Sequence, residues 1–124
     1  MTPLLVVDGA NVVGSRPDGW WRDRAGAAVR LRDALLPLAA GGLPDLPAPL
    51  EVVLVVEGRA RGVASADGVR VVAAPGSGDD TIVDLVAAAR PRRTVVVTAD
   101  RGLRERVAAL GAEVRGPRSL SPVY

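Results

Sequence analysis

The stretch Leu4-Leu5-Val6-Val7-Asp8-Gly9 contains four aliphatic residues that stop at an acidic residue and a glycine. A short apolar run bounded in this way is typical of a strand that is buried on both faces. Similar runs at residues 52–56, 69–73 and 94–97, with a weaker one at residues 113–114, predict further strands. We therefore expect a sheet of four to five strands.

Segments with helical spacing separate these runs. Residues 22–40, 79–89 and 101–110 place apolar side chains on one side of a predicted helix. Residues 9–21 are expected to form a loop, and the tail beyond residue 116 to be loosely packed. Strands that alternate with helices predict one α/β domain over residues 1–124, a three-layer Rossmann-like parallel sheet with helices on both faces.

The composition restricts the chemistry of this chain. Its 124 residues include no His, no Cys and no Lys, and all 16 cationic side chains are Arg. This excludes His- or Cys-dependent nucleophiles, Schiff-base chemistry and a P-loop lysine, and it disfavours a protein-built zinc site. The remaining oxygen donors suit hard cations such as Mg²⁺ or Mn²⁺. A protein without catalytic activity is also compatible with this composition.

Nothing in the sequence predicts export or membrane insertion. The chain starts without a basic segment, its first apolar run stops at Asp8, and no apolar run reaches the roughly 18 residues needed to span a bilayer. We expect a soluble cytoplasmic protein with no membrane partner. The oligomeric state stays open, with a homodimer among the options.

Acidic residues follow the predicted strands. Asp8, Glu57 and Asp100 come at or just after strand ends, and Asp80 and Asp84 share one face of the following helix. Because parallel strands end at one edge of a sheet, these carboxylates are expected to converge there. Clustered carboxylates repel one another, and a divalent cation would offset that repulsion. The sequence therefore predicts a metal site at this edge.

Each acid also has a purely structural interpretation. Asp8 followed by glycine is typical of a turn, and Asp100 would cap the helix that starts at residue 101. Asp79 and Asp80 stand at a helix start, where negative charge is favourable. Asp84 could belong to a solvated helix face. The argument for a site depends on the convergence of these residues.

Four segments carry a resemblance to a known family. They are Val7-Asp8-Gly9-Ala10-Asn11-Val12-Val13-Gly14, Trp21-Arg22-Asp23-Arg24, Gly78-Asp79-Asp80-Thr81-Ile82 and Val97-Thr98-Ala99-Asp100-Arg101. In order and spacing they resemble the NYN domains, and most closely the YacP-like nucleases, which are relatives of the PIN-domain ribonucleases. The resemblance spans residues 4–120. It implies a PIN-like fold and RNA hydrolysis that depends on Mg²⁺ or Mn²⁺.

The resemblance also implies roles for individual residues. Asp8 would be the central metal ligand, Asp80 and Asp100 would complete the metal site, and Asn11 would orient a ligand or a phosphate. Asp84 would be an additional ligand or would position water. The supporting residues would be Thr98, Asp79 and Glu57.

A second group of residues is predicted to contact RNA. Arginines on loops or helix starts near the same edge could bind phosphates, and neighbouring tryptophans could stack on an unpaired base. The alternatives are a solvated rim and aromatic cover for the core. These residues are Arg22, Arg24, Arg59, Arg61, Trp20 and Trp21.

Three functions follow from these observations. The first is a metal-dependent ribonuclease, a hydrolase that acts on RNA, most readily single-stranded RNA. The second is a non-catalytic RNA-binding or interaction module with the same fold. The third is a nucleotide pyrophosphohydrolase that uses the same metal pocket.

Overall fold

The fold is a parallel sheet of five strands in the order β3-β2-β1-β4-β5. The computed structural model describes residues 1–124. The strands are β1 Leu4–Asp8, β2 Glu51–Val56, β3 Arg70–Ala73, β4 Thr94–Val97 and β5 Glu113–Arg115. The helices are α1 Gly9–Gly14, α2 Arg24–Leu35, α3 Leu38–Gly41, α4 Gly78–Ala89 and α5 Arg101–Ala108. Short 3-10 turns lie at Trp20–Arg22, Gly58–Ala60 and Pro117–Leu120.

Helices cover both faces of the sheet, as predicted from the alternation of strands and helices. On one face, Leu5 and Val7 of β1 belong to a core that includes Leu31 and Leu35 of α2. On the other face, Val6 belongs to a second core that includes residues of the last two long helices, Ile82, Val86, Leu103 and Val107. Because β1, the central strand, is buried on both faces, its aliphatic residues do not alternate with polar ones. The predicted three-layer α/β fold is confirmed.

The segment after β1 differs from the predicted loop. Asp8 caps a short helix, α1, and its carboxylate accepts a hydrogen bond from the Asn11 backbone N–H. Val12 and Val13 of this helix are buried in the core. In a helical conformation this apolar pair is buried against β2 and α2, and the Asp8 side chain caps the first turn of the helix.

The predicted helix over residues 22–40 is interrupted. Asp23 caps α2 by accepting a hydrogen bond from the Gly26 N–H at 2.9 Å, so the helix begins at Arg24. Its end lies just before Pro37, which has no N–H to continue the helix, and α3 follows as a separate turn.

The tail beyond residue 116 is packed, in contrast to the expectation of a loose end. Leu120 is fully buried in the larger core, and Val123 and Tyr124 pack against that core. The guanidinium of Arg16 lies 4.4 Å from the centre of the Tyr124 ring. None of the helices is long and apolar enough to cross a bilayer.

Gly9 is required by a close approach between α1 and β2. A Cβ atom at this position would lie 2.5 Å from the backbone oxygen of Val55, which is too close for any side chain. Gly14, at the other end of the same helix, has room, since the nearest atom to a Cβ there lies 3.8 Å away on Trp20. The glycine after Asp8 therefore lets the chain turn directly from the strand into the helix.

Gly9→Ala is expected to lower the free energy of unfolding by about 1–3 kcal/mol, because the added methyl group must push α1 away from β2. Gly14→Ala is the matched control. It should leave stability unchanged or raise it by up to about 1 kcal/mol, since alanine is the better helix former. Urea unfolding of both variants measures the difference, and equal stabilities would contradict the role given to Gly9.

Candidate active site

The site lies where the order of strands reverses direction. The chain runs from the central strand β1 to β2 and β3 on one side, and to β4 and β5 on the other. Parallel sheets of this kind bind ligands at the carboxyl ends of the strands, at this reversal point. Asp8 ends β1 here, and Thr98 directly follows the neighbouring strand β4.

Asp8 is held rigidly at this point. Its side chain is buried, with 6% of the residue exposed, and its Oδ2 accepts a hydrogen bond of 2.9 Å from the Thr98 hydroxyl. Its Oδ1 accepts a longer bond of 3.4 Å from the Asn11 N–H. Thr98 is fully buried, so the contact between these two strand ends is shielded from water. The predicted supporting residue thus touches the predicted central ligand.

Asn11 and Asp100 connect the same two strand ends. The Asn11 Oδ1 accepts a hydrogen bond of 2.8 Å from the Ala99 N–H. The Asp100 N–H donates to the Thr98 hydroxyl oxygen at 3.1 Å, so that hydroxyl lies between the two aspartates in the hydrogen-bond chain. The Asp100 carboxylate accepts from the Leu103 N–H at 2.8 Å and caps α5. The structural interpretation of Asp100 as a cap is correct, and the residue also stands beside the Asp8 group.

Glu57 connects the end of β2 to the start of α4. One of its carboxylate oxygens, Oε2, accepts a hydrogen bond from the Gly78 N–H, the first residue of α4. A Cβ at Gly78 would lie 3.2 Å from this oxygen, so a larger residue would crowd the contact. Glu57 thereby fixes the helix start that carries Asp79 and Asp80.

The two adjacent aspartates of α4 have different surroundings. Asp80 forms an ion pair of 3.0 Å with Arg106 of α5, and its side chain is 77% exposed. Asp79 is half-buried and close enough to Asp100 and Glu57 for their charges to act on it. Asp84, one turn further along, is exposed and forms no ion pair. Hydrogen bonds or charge effects therefore connect Asp8, Glu57, Asp79 and Asp100, whereas Asp80 is turned to Arg106 and Asp84 lies on the exposed surface of α4.

The pKa values of Asp8 and Asp79 are raised mainly by burial and also by neighbouring negative charge. Burial raises the pKa of Asp8 above its usual 3.8, the hydrogen bonds from Thr98 and Asn11 oppose that effect, and the charges of Asp79 and Glu57 add to it. The pKa of Asp79 is also raised, first by burial, then by Asp100 and Glu57 and last by Asp80, while Arg106 lowers it. We call Asp8, Glu57, Asp79 and Asp100 the acidic cluster.

The acidic cluster fits a divalent cation by donor type and by charge. All its donors are oxygens, which hard cations prefer, and burial together with neighbouring acidic charge raises the pKa values of Asp8 and Asp79. No three acidic side chains of the chain lie close enough together to form a ligand set as they stand. Cation binding would therefore require side chains such as Asp79 and Asp100 to turn towards Asp8.

The raised pKa of Asp8 predicts how stability depends on pH. Folded protein holds this proton more tightly than unfolded protein, so the Asp8 contribution to stability decreases as pH rises from 3.8 through the raised pKa. Asp8→Asn removes this contribution. The free energy of unfolding of the variant, relative to the parent, should therefore increase between pH 4 and pH 7 in urea titrations. A constant difference would show that Asp8 carries no raised pKa.

A cavity of about 430 Å³ adjoins the acidic cluster. Gly9 and Glu57 lie on the side next to the cluster, and Trp20, Arg24 and Ser77 are among the other lining residues. No sequence pattern predicts this cavity, because it depends on how α1 and α2 pack against the end of β2. Apolar residues that the sequence predicts as core, such as Ala28 and Val56, form part of its wall.

The predicted RNA-contacting residues divide between this cavity and open surface. The Arg24 guanidinium lies 5.1 Å from the centre of the Trp20 ring, and both residues line the cavity. Trp21 packs edge-on against Trp20 with ring centres 5.9 Å apart, and it is 54% exposed. The Arg22 guanidinium lies 5.8 Å from the Trp21 ring. Arg59 and Arg61 are exposed on the turn after β2.

Comparison with solved structures gives the architecture a precedent. A crystal structure of Rae1 (YacP) from Bacillus subtilis, a W164L mutant, superposes with a TM-score of 0.73 and 20% sequence identity, over 98% of this chain and 74% of that one. This chain has the fold of YacP. A second crystal structure of Rae1 (YacP) from Bacillus subtilis gives a TM-score of 0.69 at 20% identity, over 96% of this chain and 71% of that one.

Sequence comparison alone does not reach this result. No protein-family model matches the chain. No curated protein sequence matches it either. The YacP-like fold inferred from the four short motifs is therefore confirmed by the structure, at a level of identity that sequence searches do not detect.

Proposed function

We propose that this protein is a metal-dependent ribonuclease that hydrolyses phosphodiester bonds of single-stranded RNA at the acidic cluster. The observation that carries the proposal is the buried carboxylate of Asp8, which the Thr98 hydroxyl holds at the reversal point of the sheet, with Glu57 and Asp79 close enough for their charges to act on it. Active sites are where burial and like charges commonly shift pKa values. The YacP fold and the resemblance to YacP-like nucleases support RNA as the substrate class.

Each residue of the site has a distinct task in this proposal. Thr98 and the Asn11 backbone hold the Asp8 carboxylate in one orientation, so that no reorganisation is needed when substrate binds. The Asn11 side-chain nitrogen makes no hydrogen bond within the chain and is available to a phosphate oxygen. A bound Mg²⁺ or Mn²⁺ would lower the pKa of a water molecule and offset charge that develops on the phosphate.

Arginines provide the attraction for the RNA backbone. Arg22, Arg59 and Arg61 lie on turns at the carboxyl side of the sheet and are exposed. They are separate from the acidic cluster, so phosphates can bind them while the scissile bond lies over the carboxylates. Binding through such contacts weakens with salt.

The test is RNA cleavage by the purified chain. Fluorescently labelled single-stranded RNA should be cut in the presence of Mn²⁺ or Mg²⁺ and remain intact in EDTA, and a base-paired duplex of the same sequence should be cut more slowly. Salt-sensitive RNA binding that ignores EDTA, without cleavage, would instead identify a non-catalytic binding module. The ion pair that holds Asp80 outside the acidic cluster is the observation that favours this alternative.

A parallel assay tests whether the same pocket hydrolyses free nucleotides. Nucleoside triphosphates incubated with the protein and Mn²⁺ should release no pyrophosphate or phosphate if RNA is the substrate. Nucleotide turnover without RNA cleavage would replace the proposed function by a nucleotide pyrophosphohydrolase.

A further inference from the structure

The cavity beside the acidic cluster has the dimensions and the lining of a small-molecule site. Its volume of about 430 Å³ lies within the range of roughly 300–1,000 Å³ that is usual for ligand pockets. Half of its 12 lining residues are hydrophobic, and the polar side chains among the others are Arg24, Glu57 and Ser77. A flat, mostly apolar group with polar edges matches such a lining.

We infer that this cavity binds one unpaired base of the RNA strand, next to the phosphodiester that the acidic cluster would cut. This inference rests on the proposed function for the identity of the strand. It adds a base-binding subsite formed by Trp20 and Arg24, from which Trp21 is excluded.

The walls of the cavity favour a nucleobase. Trp20 contributes an indole ring and Arg24 a planar guanidinium that lies against that ring, and both kinds of group stack on unpaired bases. Val13, Ala28 and Val56 supply apolar contacts on the buried side.

The negative charge of Glu57 disfavours a phosphate in the cavity. The Glu57 carboxylate lines the cavity and uses only one of its oxygens to accept the Gly78 N–H. Its other oxygen makes no hydrogen bond in the chain and can accept one from an exocyclic amino group or a ring N–H of a base, whereas it would repel a phosphate. Glu57 also belongs to the acidic cluster, so a base that contacts it has its own phosphates near Asp8.

The experiment compares two probes by fluorescence anisotropy in EDTA, which prevents cleavage. One probe is a labelled single-stranded RNA octamer, and the other has the same backbone and charge but carries no bases. Because stacking of one base contributes about 1–3 kcal/mol, the protein should bind the octamer with bases about 5–150-fold more tightly. Trp20→Leu should lose most of this preference, and Trp21→Leu, the matched control, should keep it.

A second pair of variants adds an aromatic ring without removing any side chain, one at the cavity and one away from it. A Cβ at Gly76, which lines the cavity, meets no atom within 4 Å, so Gly76→Phe places a ring at the cavity without a backbone clash. Gly41, at the end of α3, has the same freedom, and it lies near the start of β2, where the carbonyl of Ala39, two residues earlier, accepts a hydrogen bond from the Leu50 N–H. Gly76→Phe should abolish the preference for bases, and Gly41→Phe should preserve it.

The outcomes separate this inference from the proposed function. Equal affinities of the parent protein for both probes, or equal behaviour of Trp20→Leu and Trp21→Leu together with full binding by Gly76→Phe, would overturn the base-binding site even if RNA is cleaved. A preference for bases that depends on Trp20 and Gly76 supports the site even if cleavage is never observed.

Discussion

Asp8→Asn is expected to reduce RNA cleavage by about 10²–10⁴-fold while the protein remains folded. The estimate assumes that a cation held by this carboxylate contributes several kcal/mol to the transition state, with about 1.4 kcal/mol for each tenfold change in rate. Asparagine keeps the shape of the side chain, and its oxygen can still accept from the Thr98 hydroxyl. Cleavage kinetics at saturating Mn²⁺, together with thermal unfolding of the same preparation, provide the measurement.

The control for Asp8→Asn is Asp84→Asn. Asp84 lies on α4, is exposed and has no ion pair, so removal of its charge should leave both cleavage and stability unchanged within error. Full activity of Asp8→Asn would remove the basis for catalysis at this edge of the sheet. An equal loss in Asp84→Asn would show that the ligands extend along α4, as the sequence predicted.

Asp79→Asn is expected to lower cleavage at least about tenfold, and Asp80→Asn by less than about fivefold. Asp79 belongs to the acidic cluster, and substitution of residues around a metal site typically lowers metal affinity or activity by about 10–100-fold. Asp80 is mostly exposed and paired with Arg106, and exposed ion pairs contribute at most about 1 kcal/mol. The two substitutions are chemically identical and adjacent, so each controls for the other.

Which of the two substitutions causes the larger loss of cleavage shows which carboxylate acts in the site: Asp79, as the structure indicates, or Asp80, as the motif implies. The sequence resemblance assigns the ligand role to Asp80 and gives Asp79 a supporting role. A larger loss of cleavage in Asp80→Asn would mean that Arg106 releases this carboxylate when RNA and metal bind. The Mn²⁺ dependence of each variant should be measured at several concentrations, because a weakened metal site is rescued by excess cation and a misfolded protein is not.

Much of the sheet could be predicted from the sequence, because aliphatic runs such as residues 52–56 and 94–97 are buried on both faces and need no alternation. The α1 helix could not, since its segment Gly-Ala-Asn-Val-Val-Gly has weak helix propensity and depends on a cap and on buried valines. The packed tail is not predictable either, because Leu120 is buried by tertiary contacts and the sequence around it is rich in turn residues.

The candidate site is likewise only partly predictable from the sequence. The contact between Asp8 and Thr98 follows from the parallel arrangement of neighbouring strands, which sequence periodicity already indicates. The choice between Asp79 and Asp80 does not, because adjacent helix positions differ by about 100° in direction. Arg106, which takes Asp80 away from the acidic cluster, lies 26 residues further along the chain, on a helix whose rotation the sequence alone does not define.

A crystal structure after soaking in Mn²⁺, with anomalous diffraction recorded from the metal, tests the central claim most directly. We expect one strong anomalous peak within direct ligand distance of the Asp8 carboxylate, with Asp79 or Asp100 turned towards it and Asp80 still paired with Arg106. An absence of any peak beside Asp8 at saturating Mn²⁺, or a peak only at Asp80 and Asp84, would contradict the account.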